Sequence, residues 1–90
     1  LPFTVVPLKK GDLSYQPLFL IHPVGGTVYF YRELVSYLPA YQTVYGIQAK
    51  SLDGKTPVLR TIEEMARAYV QDILSVQTQG TYNLAGASFG

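Results

Sequence analysis

The chain has 90 residues and no cysteine, one histidine, and few charges, at 14% of its residues. Without cysteine there is no disulfide framework and no thiolate metal site, and a reducing, cytoplasmic setting is expected. One histidine with no thiolate beside it does not make a metal centre, so none is expected. Seven Lys and Arg stand against six Asp and Glu, leaving +1 with the histidine neutral. There is no basic stripe to displace counterions from a phosphate backbone, so nucleic acid is not an expected partner. No apolar run reaches the roughly 18 to 20 residues that cross a bilayer, so no membrane partner is expected either. Leu1-Pro2-Phe3-Thr4 lacks the basic lead-in of a signal peptide. What the chain does have is apolar residues, 48% of the total, too many for a disordered chain. The length fits one domain or a piece of one, with a single thin core.

Along the chain, the pattern alternates between two periods. Phe3 to Val6 is apolar and β-branched and precedes Pro7, which reads as an edge strand or an extended linker. Leu18-Phe19-Leu20-Ile21 is apolar without alternation, as in a central parallel strand covered on both faces. Val28, Tyr31, Leu34, Val35 and Leu38 recur at helical spacing, and Pro39 stops that helix. Thr43 to Gln48 reads as a second strand, and residues 49 to 60, with Asp53-Gly54 and Pro57, as a surface loop. Thr61 and Glu64 fit a capping box at the start of a helix carrying Ile62, Met65, Ala66, Tyr69, Val70, Ile73, Leu74 and Val76, with Gly80 at its end. Tyr82 to Ala85 is a third strand. Strand, helix, strand, helix, strand is the order of an α/β protein with a parallel sheet.

Two segments are suited to chemistry. Gly86-Ala87-Ser88-Phe89-Gly90 has the form G-x-S-x-G directly after a strand. A sharp strand-to-helix turn there presents the Ser88 hydroxyl at the top of the sheet, and the glycines leave room for neighbouring backbone. The N–H of Phe89 then points at the oxygen of a bound acyl group. A plain Gly-rich turn is the alternative. His22-Pro23-Val24-Gly25-Gly26 follows the first central strand, where sites form in open α/β sheets. A Gly-rich loop at that place can aim a second backbone N–H at the same oxygen. A flexible connection or a phosphate loop is the alternative, although no G-x-G-x-x-G or G-K-[ST] is present.

The remaining candidates are weaker. His22, as the only histidine, is a possible base, but its place before the loop suits a ring bonded to backbone that holds the loop. Asp12, Asp53 and Asp72 are the possible orienting acids; Asp53 sits in a turn beside Gly54 and Asp72 on a helix, where it is expected to be solvated. Tyr29, Tyr31 and Tyr37 share one helix, and packing with the hydroxyls at the surface accounts for them. Tyr29 alone lies near enough to the loop for substrate contact to be considered.

Pro17-Leu18-Phe19-Leu20-Ile21-His22-Pro23-Val24-Gly25-Gly26 resembles the start of the thioesterase domains that terminate nonribosomal peptide and polyketide synthases. Tyr31-Arg32-Glu33-Leu34, Val44-Tyr45-Gly46-Ile47-Gln48-Ala49, Thr61-Ile62-Glu63-Glu64-Met65-Ala66 and Gly86-Ala87-Ser88-Phe89-Gly90 continue the resemblance in the same order. It runs from about Val5 to Gly90. The resemblance implies an α/β-hydrolase fold with the three central strands in spatial order second, first, third. It implies that Ser88 is the nucleophile and that the N–H groups of Val24 and Phe89 form the oxyanion hole. His22, Gly25, Gly26, Gly86 and Gly90 then support the loop and the elbow. It further implies no metal and no free cofactor, since the substrate arrives on the phosphopantetheine arm of an acyl or peptidyl carrier domain. In the family the acid and the histidine follow later strands. Residues 1–90 are therefore expected to be a partial thioesterase domain ending at the nucleophile elbow, with the C-terminal half of the domain as a required partner. A general esterase on the same fold and a non-catalytic interaction module remain the competing readings of the residues.

Overall fold

The computed structural model describes all of residues 1–90. Four strands form one sheet: β1 (Val5–Lys9), β2 (Leu18–Ile21), β3 (Val44–Ile47) and β4 (Asn83–Gly86). Their spatial order is β1-β3-β2-β4. The central trio β3-β2-β4 is parallel, in the order the resemblance implies, and β1 joins the outside of β3 antiparallel. β1 lies later than expected, at Val5–Lys9 rather than Phe3 to Val6, and runs through Pro7. A proline is tolerated because an edge strand needs donors on one side only. The pairing with β3 shifts register between Pro7 and Lys9.

The sheet is covered on both faces, as the unbroken apolar run of β2 requires. Phe19 and Leu20 are adjacent, fully buried, and point to opposite sides. Phe19 packs with Val5, Ile47, Tyr69 and Ile73, and Leu20 with Val28, Tyr31, Val35 and Val44. The first of these faces belongs to α2 (Ile62–Val76) and the second to a helical segment before β3.

That segment is shorter than its stripe suggests. A 3₁₀ turn at Tyr29–Tyr31 leads into α1 (Arg32–Ser36). Val28, Tyr31 and Val35 are buried, but Leu34 is 52% exposed. A 3₁₀ turn advances about 120° per residue rather than 100°, so the stripe loses phase at its start.

α2 is capped as the sequence indicates: the Glu64 N–H donates to Thr61 Oγ1 at 3.1 Å. The reciprocal contact differs from a capping box, because the Thr61 hydroxyl donates to Glu64 Oε1 at 3.0 Å and no bond reaches the Thr61 N–H. Glu63 and Glu64 lie in the first turn, where the helix dipole favours negative charge. Tyr69 and Ile73 are buried, with Met65, Ala68 and Val76 half-buried against them, leaving Ile62, Ala66, Val70 and Leu74 exposed. The helix ends at Val76, and Gly80, at φ 90, lies in the following turn rather than at the cap. Residues 50–53 add a 3₁₀ turn to the expected loop. No helix is long and apolar enough to cross a membrane.

β2 feeds a crossover to β3 on one side of it, and α2 returns the chain to β4 on the other side. The carboxyl ends of β2 and β4 therefore flank the point where the strand order switches, which is where open α/β sheets build their sites.

Candidate active site

Ser88 follows β4 at φ 57, the one non-glycine residue with positive φ. A side chain there costs about 1–2 kcal/mol in backbone strain, so the surroundings must hold it. The flanking glycines do so by close approach. A Cβ on Gly86 would meet the backbone of Gly90, 2.5 Å from its carbonyl oxygen. A Cβ on Gly90 would meet the Ile21 carbonyl and lie 2.6 Å from the His22 carbonyl oxygen. The turn thus folds onto itself and onto the end of β2 at two places where any side chain would collide. The Gly90 N–H donates to the Ala87 carbonyl at 2.9 Å and closes the turn. Ser88 is exposed at its tip.

The loop after β2 faces the elbow. Gly26, at φ 84, has the Ala49 methyl where a Cβ would stand, at 2.7 Å. Its N–H donates to Pro23 at 3.1 Å, and its carbonyl accepts from Ala49 at 2.8 Å. Gly25 also has positive φ and faces open space, and Val24 is exposed. A cavity of about 330 Å³ lies between this loop, the segment after β3 and α2, bordered by Val24, Gly25, Gly26, Leu59, Met65 and Phe89 among others. Phe89 and Val24, the two expected oxyanion donors, both border it.

His22 is buried between loop and elbow. Its Nδ1 lies 2.8 Å from the Pro23 carbonyl, which only accepts, so Nδ1 carries the proton. Nε2 then accepts from the Tyr69 hydroxyl, also at 2.8 Å. Both nitrogens are engaged, so the ring cannot take a proton from Ser88 without breaking one of these bonds. The Phe89 ring stacks on it at 6.3 Å. Burial and the nearby Asp72 carboxylate raise the pKa of Tyr69 above its ordinary 10.0, so the hydroxyl remains a donor further into the alkaline range than a free tyrosine.

The three candidate acids lie elsewhere. Asp12 accepts from Ser14 in a surface turn. Asp53 accepts from the N–H groups of Lys55 and Thr56 and from the Thr56 hydroxyl, each at 2.7 Å. Asp72 is not simply solvated: it accepts from the buried Thr4 hydroxyl at 2.5 Å, tying the approach to β1 onto α2. No cluster of three His, Asp or Glu side chains forms a metal site.

Two tyrosines matter more than sequence reasoning allowed. Tyr69 holds His22. Tyr31, expected to turn its hydroxyl to the surface, is buried, with the hydroxyl between the Ile21 carbonyl and the Ala87 N–H. The available signal was its place on the apolar stripe between Val28 and Val35, since a buried tyrosine hydroxyl needs a partner.

Comparison with known proteins identifies the family of the chain. The family profile described as "Thioesterase domain" matches residues 16–90. Malpibaldin synthetase of Mortierella alpina is 42% identical over 86 residues, covering 96% of this chain and 2% of the synthetase. A four-domain nonribosomal peptide synthetase, solved in its holo form with AMP and glycine, superposes with a TM-score of 0.82 at 36% identity, over 97% of this chain and 6% of that one. The NocB thioesterase domain of the nocardicin cluster superposes with a TM-score of 0.77 at 28% identity, over 97% of this chain and 38% of that domain. The chain thus spans a small fraction of its curated relative and under half of an isolated thioesterase domain. With the G-x-S-x-G elbow on an α/β-hydrolase-type sheet, these matches show that the chain belongs to the thioesterase domain family.

Proposed function

We propose that residues 1–90 supply the N-terminal part of a serine thioesterase that releases an acyl or peptidyl chain from the phosphopantetheine arm of a carrier protein domain. One observation carries the reading: a serine held at φ 57 beyond β4, between glycines with no room for a side chain, beside the loop that follows β2. The synthetase relatives support a carrier-bound substrate.

Ser88 Oγ adds to the thioester carbonyl, forming a C–O bond, and the N–H groups of Val24 and Phe89 receive the developing oxyanion. The base takes the Ser88 proton as the C–O bond forms; collapse of the tetrahedral species breaks the C–S bond, and the base passes that proton to the departing sulfur, which leaves as the thiol of the arm. Water, or a hydroxyl or amine of the same acyl chain, then gives its proton to the base and attacks the acyl-enzyme; the Ser88 ester C–O bond breaks, the proton returns to Ser88 Oγ, and an acid or a ring is released. His22 has both nitrogens engaged and acts as support, so a histidine and an acid beyond residue 90 serve as base and orienter. No metal or free cofactor enters these steps, and a substrate that stays on a carrier domain fits the cytoplasm.

The test compares an acyl-pantetheine thioester with the matching oxygen ester as substrates of the complete domain. Faster turnover of the thioester is expected. Preference for the oxygen ester would point to a general esterase, and no turnover of either to a non-catalytic module.

A further inference from the structure

Taking Ser88 as the nucleophile, we infer that Tyr31 is a positioning residue whose hydroxyl sets the nucleophile elbow against the oxyanion loop. The parallel ladder between β2 and β4 ends at the pair Ile21 and Gly86. Beyond it, one strand turns into the loop at His22 and the other into the elbow at Ala87. The Tyr31 hydroxyl occupies that place. It donates to the Ile21 carbonyl and accepts from the Ala87 N–H at 3.1 Å. A phenolic hydroxyl has one proton and acceptor lone pairs, so both bonds are made at once. It acts as one more rung of the ladder, supplied by a side chain where the backbones have already diverged.

The two groups it joins are adjacent to the chemistry. Ala87 immediately precedes Ser88, and Ile21 immediately precedes the loop that carries Val24. Tyr31 therefore fixes the two segments that provide the oxyanion donors relative to each other. The ring is 2% exposed and packs with Leu20, Val28 and Val35, so the hydroxyl has little freedom to swing away. The Tyr31 N–H bonds to Val28 at 3.1 Å in the turn that closes the same loop. The strained Ser88 is thus anchored on its N-terminal side by Tyr31 and on its C-terminal side by the Gly90 to Ala87 bond. Neither Ser88 nor Phe89 has a backbone N–H engaged by protein, so these two hydrogen bonds act alongside the glycine contacts and the Phe89 stacking on His22.

Tyr31→Phe in the complete domain keeps the ring and removes one oxygen. A displacement of about 1 Å at a reacting centre costs roughly 100-fold, so kcat is expected to fall by about ten- to a hundredfold. KM is expected to change by less than about threefold, because substrate binding does not involve the hydroxyl. Labelling of Ser88 by a fluorophosphonate should slow in step with kcat. Tyr82→Phe is the control: it deletes a hydroxyl bonded at 2.7 Å to the Gln77 carbonyl, at the opposite end of β4. Any loss of stability from it should leave kcat and labelling unchanged.

Equal kcat and labelling in wild type and Tyr31→Phe would overturn the inference, as would an equal loss in Tyr82→Phe. A wild type that takes no label on Ser88 would instead overturn the reading of Ser88 as nucleophile, and this inference with it. If Tyr31→Phe does not fold, hydrogen exchange of the wild type decides. The Ala87 amide should be protected well beyond that of Phe89, and equal exchange rates would overturn the role given to the hydroxyl.

Discussion

At the scale of single residues, the site is built by exclusion as much as by contact. Gly86 and Gly90 are needed because backbone occupies the space a Cβ would take. Gly90→Ala must push the elbow off the His22 carbonyl, and fluorophosphonate labelling of Ser88 is expected to drop by about 100-fold, as for a displaced reacting group. A labelling rate equal to wild type would mean that the turn has slack the geometry does not show. The His22–Tyr69 pair gives a second expectation. Tyr69→Phe leaves the buried Nε2 of His22 without a donor, which should cost about 1–3 kcal/mol of stability, read as a lower denaturant midpoint. The raised Tyr69 pKa sets the alkaline side. Its contribution is complete below the unfolded value of 10.0 and is lost as pH rises from there through the higher folded value. The serine and both glycines could be read from the sequence, since their pattern is local. The pairings of Tyr31 with Ala87 and of Tyr69 with His22 could not, because the partners lie 56 and 47 residues apart along the chain and meet only in the folded sheet.

At the scale of elements, the loop between β3 and α2 carries an acid-sensitive turn. Hydrogen bonds from the Thr56 hydroxyl and the Thr56 and Lys55 amides hold the Asp53 carboxyl below its ordinary 3.8. Such a group stabilises the fold fully above the unfolded value and loses its effect as pH falls through the lower folded value. The turn should therefore persist down to pH 3.8 and open below it, with Asp53→Asn weakening it at all pH values. Amide exchange at Lys55 and Thr56 against pH measures this, and protection independent of pH would contradict it. Thr61→Ala removes the cap of α2 and should cost about 1 kcal/mol.

The three central strands and α2 were legible because their apolar runs and caps are continuous in sequence. The helix after the loop was legible only in part. Its apolar spacing is helical, but its first turn is 3₁₀, so Leu34 ends on the outside. The end of β1 is masked in the sequence by Pro7, which breaks a central strand but is accommodated at an edge, where a missing donor faces away from the ladder.

At the scale of the molecule, one edge of the sheet and the apolar surface beside it lack cover. All residues of β4, Asn83–Gly86, are exposed at the sheet edge. Ile62, Val70, Leu84 and Phe89 add exposed apolar surface beside it. These side chains border a groove of about 230 Å³ that also reaches Ile21 and Ile73. An uncharged edge strand without proline pairs readily with other chains. Residues 1–90 expressed alone are therefore expected to associate or to lack fixed packing. Sedimentation at several concentrations with near-ultraviolet circular dichroism checks this, and a monodisperse monomer with sharp tyrosine bands would contradict it. Under the proposed function, with base and acid supplied from outside residues 1–90, these residues alone should turn over an acyl-pantetheine thioester at only about 10³ to 10⁴ over water, and turnover near that of a complete domain would contradict the proposal.

The central claim is that Ser88 is the acylated nucleophile of a thioesterase, and intact-mass spectrometry of the complete domain with an acyl-pantetheine thioester tests it most directly. The account expects one acyl adduct, mapped to Ser88, in the parent protein and none in a folded Ser88→Ala variant. An adduct that persists in Ser88→Ala, or that maps to another residue in the parent, would contradict it.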